Sequence, residues 1–101
     1  MEDAARSPLV TEVRIQLTKE PPILAFASLT LWDVLVVHDL RVLQRRDGSR
    51  VVLMPRLPNH DGTWTTIAHP VREETRLQIE EAVLKAYAEA RAPVPAAGLP
   101  G

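Results

Sequence analysis

The sequence predicts an α+β fold, an antiparallel β-sheet meander of four to five strands packed against one C-terminal α-helix. Three observations carry that expectation. Apolar and polar residues alternate between Val10 and Leu17; turn signals at Pro21-Pro22 and Arg46-Asp47-Gly48-Ser49 separate β-rich runs; and apolar residues recur at three- and four-residue steps from Glu73 to Arg91.

In the first strand Val13, Ile15 and Leu17 share one face and Glu12, Arg14 and Gln16 the other, the period of a half-buried strand. Pro21-Pro22 cannot donate ladder hydrogen bonds and marks a turn, after which Ile23 to Leu31 reads as the second strand. Trp32-Asp33 forms the next turn. Val34 to Leu43 is apolar on both faces, which places it centrally in the sheet. Asp47-Gly48 signals a tight hairpin, and Val51 to Met54 returns as the fourth strand. Pro55 to Pro70 is rich in turn formers, with Trp64 to Ala68 as a short fifth strand. The helix spans Glu73 to Arg91. Its stripe is Ile79, Ala82, Val83, Ala86, Tyr87 and Ala90, widened by Leu77 and Leu84, and Glu81 with Lys85 has the orientation of a favourable i,i+4 ion pair.

These elements make a single domain over residues 9–91. Residues 1–8 lack a periodic pattern, and residues 92–101 hold three of the nine prolines and two of the four glycines, so both ends are expected to be mobile. No apolar run approaches the length that crosses a bilayer, and the N-terminus does not read as a secretion signal, so the expected location is cytoplasmic with no membrane partner. Without cysteine, disulfides and thiolate chemistry are excluded. A body this small then depends on its core or on a partner chain, and oligomerisation is expected.

The net charge is −1, from 12 basic and 13 acidic residues, but the charge is unevenly placed. Residues 1–40 hold three basic and six acidic residues, 41–72 six and two, and 73–101 three and five. Every cation of the middle third is arginine: Arg41, Arg45, Arg46, Arg50, Arg56 and Arg72. The planar fork of arginine matches phosphate oxygens, so this segment is a candidate for binding DNA or RNA, and Trp64 offers a stacking surface for an unpaired base. Solvated arginines at hairpin tips are the plainer alternative.

Catalytic groups are sparse. His38, His60 and His69 are the only imidazoles, and their spacings of 22 and 9 residues match no compact metal motif. His38 and Asp39 are strand neighbours whose side chains are expected on opposite faces, with His38 a buried, hydrogen-bonded residue of the apolar face. His69 precedes Pro70 and suits a chain reversal into the helix. With no phosphate-cradling glycine loop and no nucleophile elbow, no enzyme, cofactor or metal site is expected.

The order of segments carries a resemblance. Thr11-Glu12-Val13-Arg14-Ile15 is followed by Ala25-Phe26-Ala27-Ser28-Leu29-Thr30-Leu31, by Val36-Val37-His38-Asp39-Leu40-Arg41-Val42-Leu43, and by Met54-Pro55, Asp61-Gly62, Ile67-Ala68-His69-Pro70 and Thr75-Arg76. Over about residues 10 to 90 the chain resembles the SpoVG family, the stage V sporulation protein G or septation regulators of bacteria. That resemblance implies a small homodimeric α+β protein that binds DNA and RNA, regulates gene expression and, in spore formers, affects asymmetric septation. Arg14, His38, Asp39, Arg41, His69, Pro70 and Arg76 match family positions.

Three departures stand out. Where the family follows Met-Pro with a small residue and adjacent basic residues, this chain has Arg56-Leu57-Pro58; Thr66 replaces a common acidic residue; and Gln44-Arg45-Arg46 makes the hairpin more basic than typical. The positive surface is therefore expected to shift toward the hairpin. Arg45, Arg46, Arg50 and Arg56 are the expected phosphate contacts, supported by Arg41, Arg72 and Arg76. The alternative is a protein-interaction module that docks a division or regulatory partner through the sheet edge or helix, with nucleic acid incidental.

Overall fold

The computed structural model describes residues 9–92. The expectations for residues 1–8 and 93–101 lie outside the described residues. In chain order the elements are β1 (Val10–Glu20), β2 (Ile23–Leu31), β3 (Leu35–Gln44), β4 (Arg50–Leu53), β5 (Arg56–Pro58), β6 (Trp64–Thr66) and α1 (Glu73–Arg91). The α+β expectation holds, with four strands in one antiparallel sheet of order β1-β2-β3-β4. The sixteen residues expected as loop with one added strand instead contain β5 and β6, paired with each other as a separate ribbon.

Alternation along each strand gives the sheet two unlike faces. Ala25, Ala27 and Leu29 of β2 and Leu40 and Val42 of β3 are buried, and Val13 and Ile15 of β1 pair across from Leu29 and Ala27 on that same face. Helix α1 closes this face with Ile79, Val83 and Tyr87. Leu77, placed in the stripe by its spacing, is instead 49% exposed, and Ala90 is exposed as well. Glu81 and Lys85 form no ion pair; Arg76 takes that role with Glu73 and Glu80.

β3 is an inner strand, as its composition requires, but only in part. β4 pairs with Arg41 to Gln44 alone, which leaves Leu35 to Leu40 without a neighbour on that side. Val34, Leu35 and Val36 are correspondingly exposed.

Turn chemistry fixes the hairpins. Val34 N–H donates to Leu31 O at 2.9 Å, and Trp32 and Asp33 between them both have positive φ, 49° and 58°, the geometry that matches the right-handed twist of paired strands. The β3–β4 and β5–β6 turns repeat one design fourteen residues apart. Gly48 N–H donates to Arg45 O at 3.0 Å, and Gly62 N–H to Asn59 O at 3.2 Å. Both glycines sit near φ +90°, where a Cβ is strained. Asp47 Oδ1 then accepts from Ser49 N–H and Oγ–H at 2.9 and 2.6 Å, as Asp61 Oδ1 does from Thr63 N–H and Oγ1–H at 3.0 and 2.6 Å.

Candidate nucleic-acid interface

The sheet face away from α1 carries the functional candidates. Because Ala25, Ala27, Leu40 and Val42 turn toward the helix, Phe26 and Arg41 must turn away from it, and they stand opposite each other in the β2–β3 ladder. The Arg41 guanidinium lies 5.6 Å from the Phe26 ring centre and 5.8 Å from that of Trp64, so Trp64 of β6 is brought beside the Arg41 side chain. Arg56 lies 4.6 Å from the same Trp64 ring. Two arginines 15 positions apart therefore share one indole. Guanidinium over an aromatic face is electrostatically favourable, and it holds a flexible cation in place.

Neither arginine has a carboxylate within ion-pair distance among the described residues. The Nε atoms of Arg41 and Arg56 are also buried without a hydrogen-bond partner. Such donors are uncommon in a folded chain.

The other expected arginines divide. Arg45 and Arg46 occupy the β3–β4 turn, exposed and outside any ion pair among the described residues. Asp47 is held below the ordinary aspartate range chiefly by the Ser49 hydrogen bonds, with the Arg45 charge a smaller contribution. Arg50 points to the helix side, 5.2 Å from the Tyr87 ring, which Arg91 also approaches at 5.9 Å. Arg72 lies 3.8 Å from Glu74. Arg76 is held by Glu73 and Glu80, and its hydrogen bond to Glu73 raises the arginine's pKa and lowers the glutamate's. The structure thus gathers Arg41 and Arg56 around Trp64, sets Arg45 and Arg46 at a free tip, and occupies Arg72 and Arg76 with their own helix's carboxylates.

His38 corrects the sequence expectation. Leu40 pairs with Ala27 and Val37 with Leu29, so His38 and Asp39 together face Ser28 in a β-bulge, with Asp39 at φ 68°. The extra residue breaks the strict alternation that would separate the two side chains. His38 is exposed rather than buried, has no hydrogen bond, and lies on the open face instead of the apolar one. His38 and Asp39 both line a shallow depression of about 370 Å³ with Arg14, Gln16, Phe26 and Ser28. His69 is exposed too, its Nδ1 3.0 Å from Pro70 O.

Phe26 is the member of this site that sequence reasoning passed over. The signal was present: a large aromatic between two alanines in a strand faces away from whatever the alanines pack against.

A family model described as SpoVG matches residues 9–89. Proteins named "Putative septation protein SpoVG" match over most of the chain. One from Macrococcus caseolyticus is 42% identical over 87 residues, covering 85% of this chain and 75% of that protein. Another from Bdellovibrio bacteriovorus is 41% identical over 78 residues, covering 77% and 71%. A third from Lachnospira eligens is 37% identical over 82 residues, covering 80% and 92%.

Proposed function

Because the chain belongs to the SpoVG family, we propose that it is a homodimeric DNA- and RNA-binding regulator of gene expression whose action reaches septation. The observation that carries this reading is the division among its arginines. Arg41, Arg45, Arg46, Arg50, Arg56 and, at the end of α1, Arg91 have no carboxylate within ion-pair distance among the described residues, whereas Arg14, Arg72 and Arg76 do. Cations that no internal acid neutralises are the ones able to release counterions from a polyanion. The acidic residues Glu81 and Glu89 on the exposed side of α1 repel phosphate, which favours the sheet side over the helix as the contact surface.

The dimer is supported by a patch formed by Trp32, Val34, Leu35 and Val36, all exposed, beside the unpaired edge of β3. A sheet edge flanked by apolar side chains takes a second strand readily, and a second copy supplies one of matching length.

The test is binding of duplex DNA and single-stranded RNA from low to moderate salt, with mass determination by light scattering. A variant carrying Arg45→Ala, Arg46→Ala and Arg56→Ala is measured beside the native chain. Each phosphate that the variant no longer neutralises flattens the log-log salt slope on duplex by about 0.9. Equal slopes for the two proteins would remove these arginines from the interface, and a monomeric mass would remove the dimer.

A further inference from the structure

We propose that the helix-free face of the sheet is a stacking platform for single-stranded nucleic acid, on which Phe26 and Trp64 receive unpaired bases and Arg41 and Arg56 bind the adjoining phosphates. This rests on the nucleic-acid reading above and narrows its ligand class.

The two rings flank one guanidinium carbon within 6 Å each, so their centres are at most about 11 Å apart, within reach of neighbouring bases of one strand. Both are accessible, Phe26 at 37% and Trp64 at 47% exposed. Each ring packs on a guanidinium and still keeps part of its surface in water on a face no helix covers, which leaves it surface for stacking. A duplex cannot use them. Its base faces are stacked inside, and only edges reach the grooves. An unpaired strand presents the π-face that a ring needs, whatever the base.

The arginines agree with this placement. Neither guanidinium has a carboxylate partner among the described residues, and both stand beside the rings, where the phosphates adjoining stacked bases would lie. The depression next to Phe26 continues the platform with Gln16, Ser28, His38 and Asp39, a mixed set of donors and acceptors suited to the edges of an unpaired base. A second depression of about 260 Å³ shares Arg14, Ser28 and His38 with the first, so the groove runs on across β1, β2 and β3 toward Thr30 and Val36.

The experiment uses fluorescence anisotropy with a labelled mixed-sequence oligonucleotide, single-stranded and as a duplex, at one moderate salt concentration. The full-length native chain is expected to bind the single strand at least tenfold tighter. Phe26→Leu and Trp64→Leu keep apolar bulk without a π-face, and each is expected to weaken single-strand binding about tenfold while changing duplex binding less than twofold. Phe26→Tyr restores the ring and is expected to bind as the native chain does, and circular dichroism confirms that each variant is folded. Duplex binding equal to or tighter than single-strand binding overturns the proposal, as does unchanged single-strand binding by both folded leucine variants. If the native chain binds neither form, the nucleic-acid reading itself fails.

Discussion

Arg56 and Trp64 occupy diagonal positions on one face of the β5–β6 ribbon, with the guanidinium 4.6 Å from the indole centre. Diagonal neighbours across a strand pair are within reach of long and aromatic side chains, so the ribbon's register decides this contact. The coupling is predicted to be about 0.5–2 kcal/mol, the range for cation–π pairs from exposed to desolvated. A double-mutant cycle of Arg56→Ala and Trp64→Ala, read by urea denaturation, measures it; strictly additive effects would show the pair to be uncoupled.

Leu40 is fully buried in a core cluster of eight buried apolar side chains among the described residues. Leu40→Ala removes apolar packing and leaves a cavity, with an expected loss of about 2–5 kcal/mol. In a domain this small that is a large share of the total stability. Thermal unfolding is expected to show a sharply lowered midpoint, whereas Val71→Ala, at a position 94% exposed, is expected to leave it unchanged.

Gly48 and Gly62 hold the same place in two copies of one turn, and space is open around the position of a Cβ at each. Alanine there meets no neighbour, so its penalty is backbone strain alone, about 1–2 kcal/mol at each site. Similar penalties for Gly48→Ala and Gly62→Ala by amide exchange across the two hairpins would verify the shared design. Markedly unequal losses would contradict it.

Asp47 and Asp61 are both held below the ordinary aspartate range, first by the hydroxyls of Ser49 and Thr63 and then by the same residues' backbone N–H groups. A carboxylate whose folded pKa is depressed contributes stability above its unfolded pKa and loses it as pH falls through the folded pKa. Both turns are therefore expected to loosen in acid, below the ordinary aspartate range. Amide shifts of Gly48 and Gly62 followed during acidification report this, and Asp47→Asn or Asp61→Asn should abolish the acid transition in its own turn only.

Glu73 is likewise depressed by its hydrogen bond and ion pair with Arg76. Arg76→Ala is expected to return the Glu73 titration toward the ordinary glutamate value, seen by carboxyl-carbon NMR, with little change in overall stability because both side chains are exposed. An unmoved Glu73 titration would show that the pair does not persist in solution.

Much of the fold was legible because its determinants are local. The helix bounds Glu73–Arg91 follow from a single apolar stripe, and the Asp47-Gly48 turn from residues that tolerate or require unusual backbone angles. The β5–β6 ribbon was less legible. Its strands have three residues each, too few for alternation to show, and Pro58 reads as a turn former although a two-stranded ribbon admits it at an edge. His38 was misplaced because a β-bulge changes which face a residue occupies without leaving a mark in composition.

The sequence by itself determined the family, the order of the four main strands and the helix, and the concentration of arginine between residues 41 and 72. It also carried the alternation that turns Phe26 away from Ala25 and Ala27. Only the tertiary structure decided which arginines work together. Arg41 and Arg56 meet at Trp64 because the chain after β4 forms a ribbon that carries the indole to the Arg41 side chain, while Arg72 and Arg76 meet glutamates of α1. Charge is counted along the chain, but a counterion, a ring or an unpaired donor is met across space, and strand register and helix pitch determine that meeting.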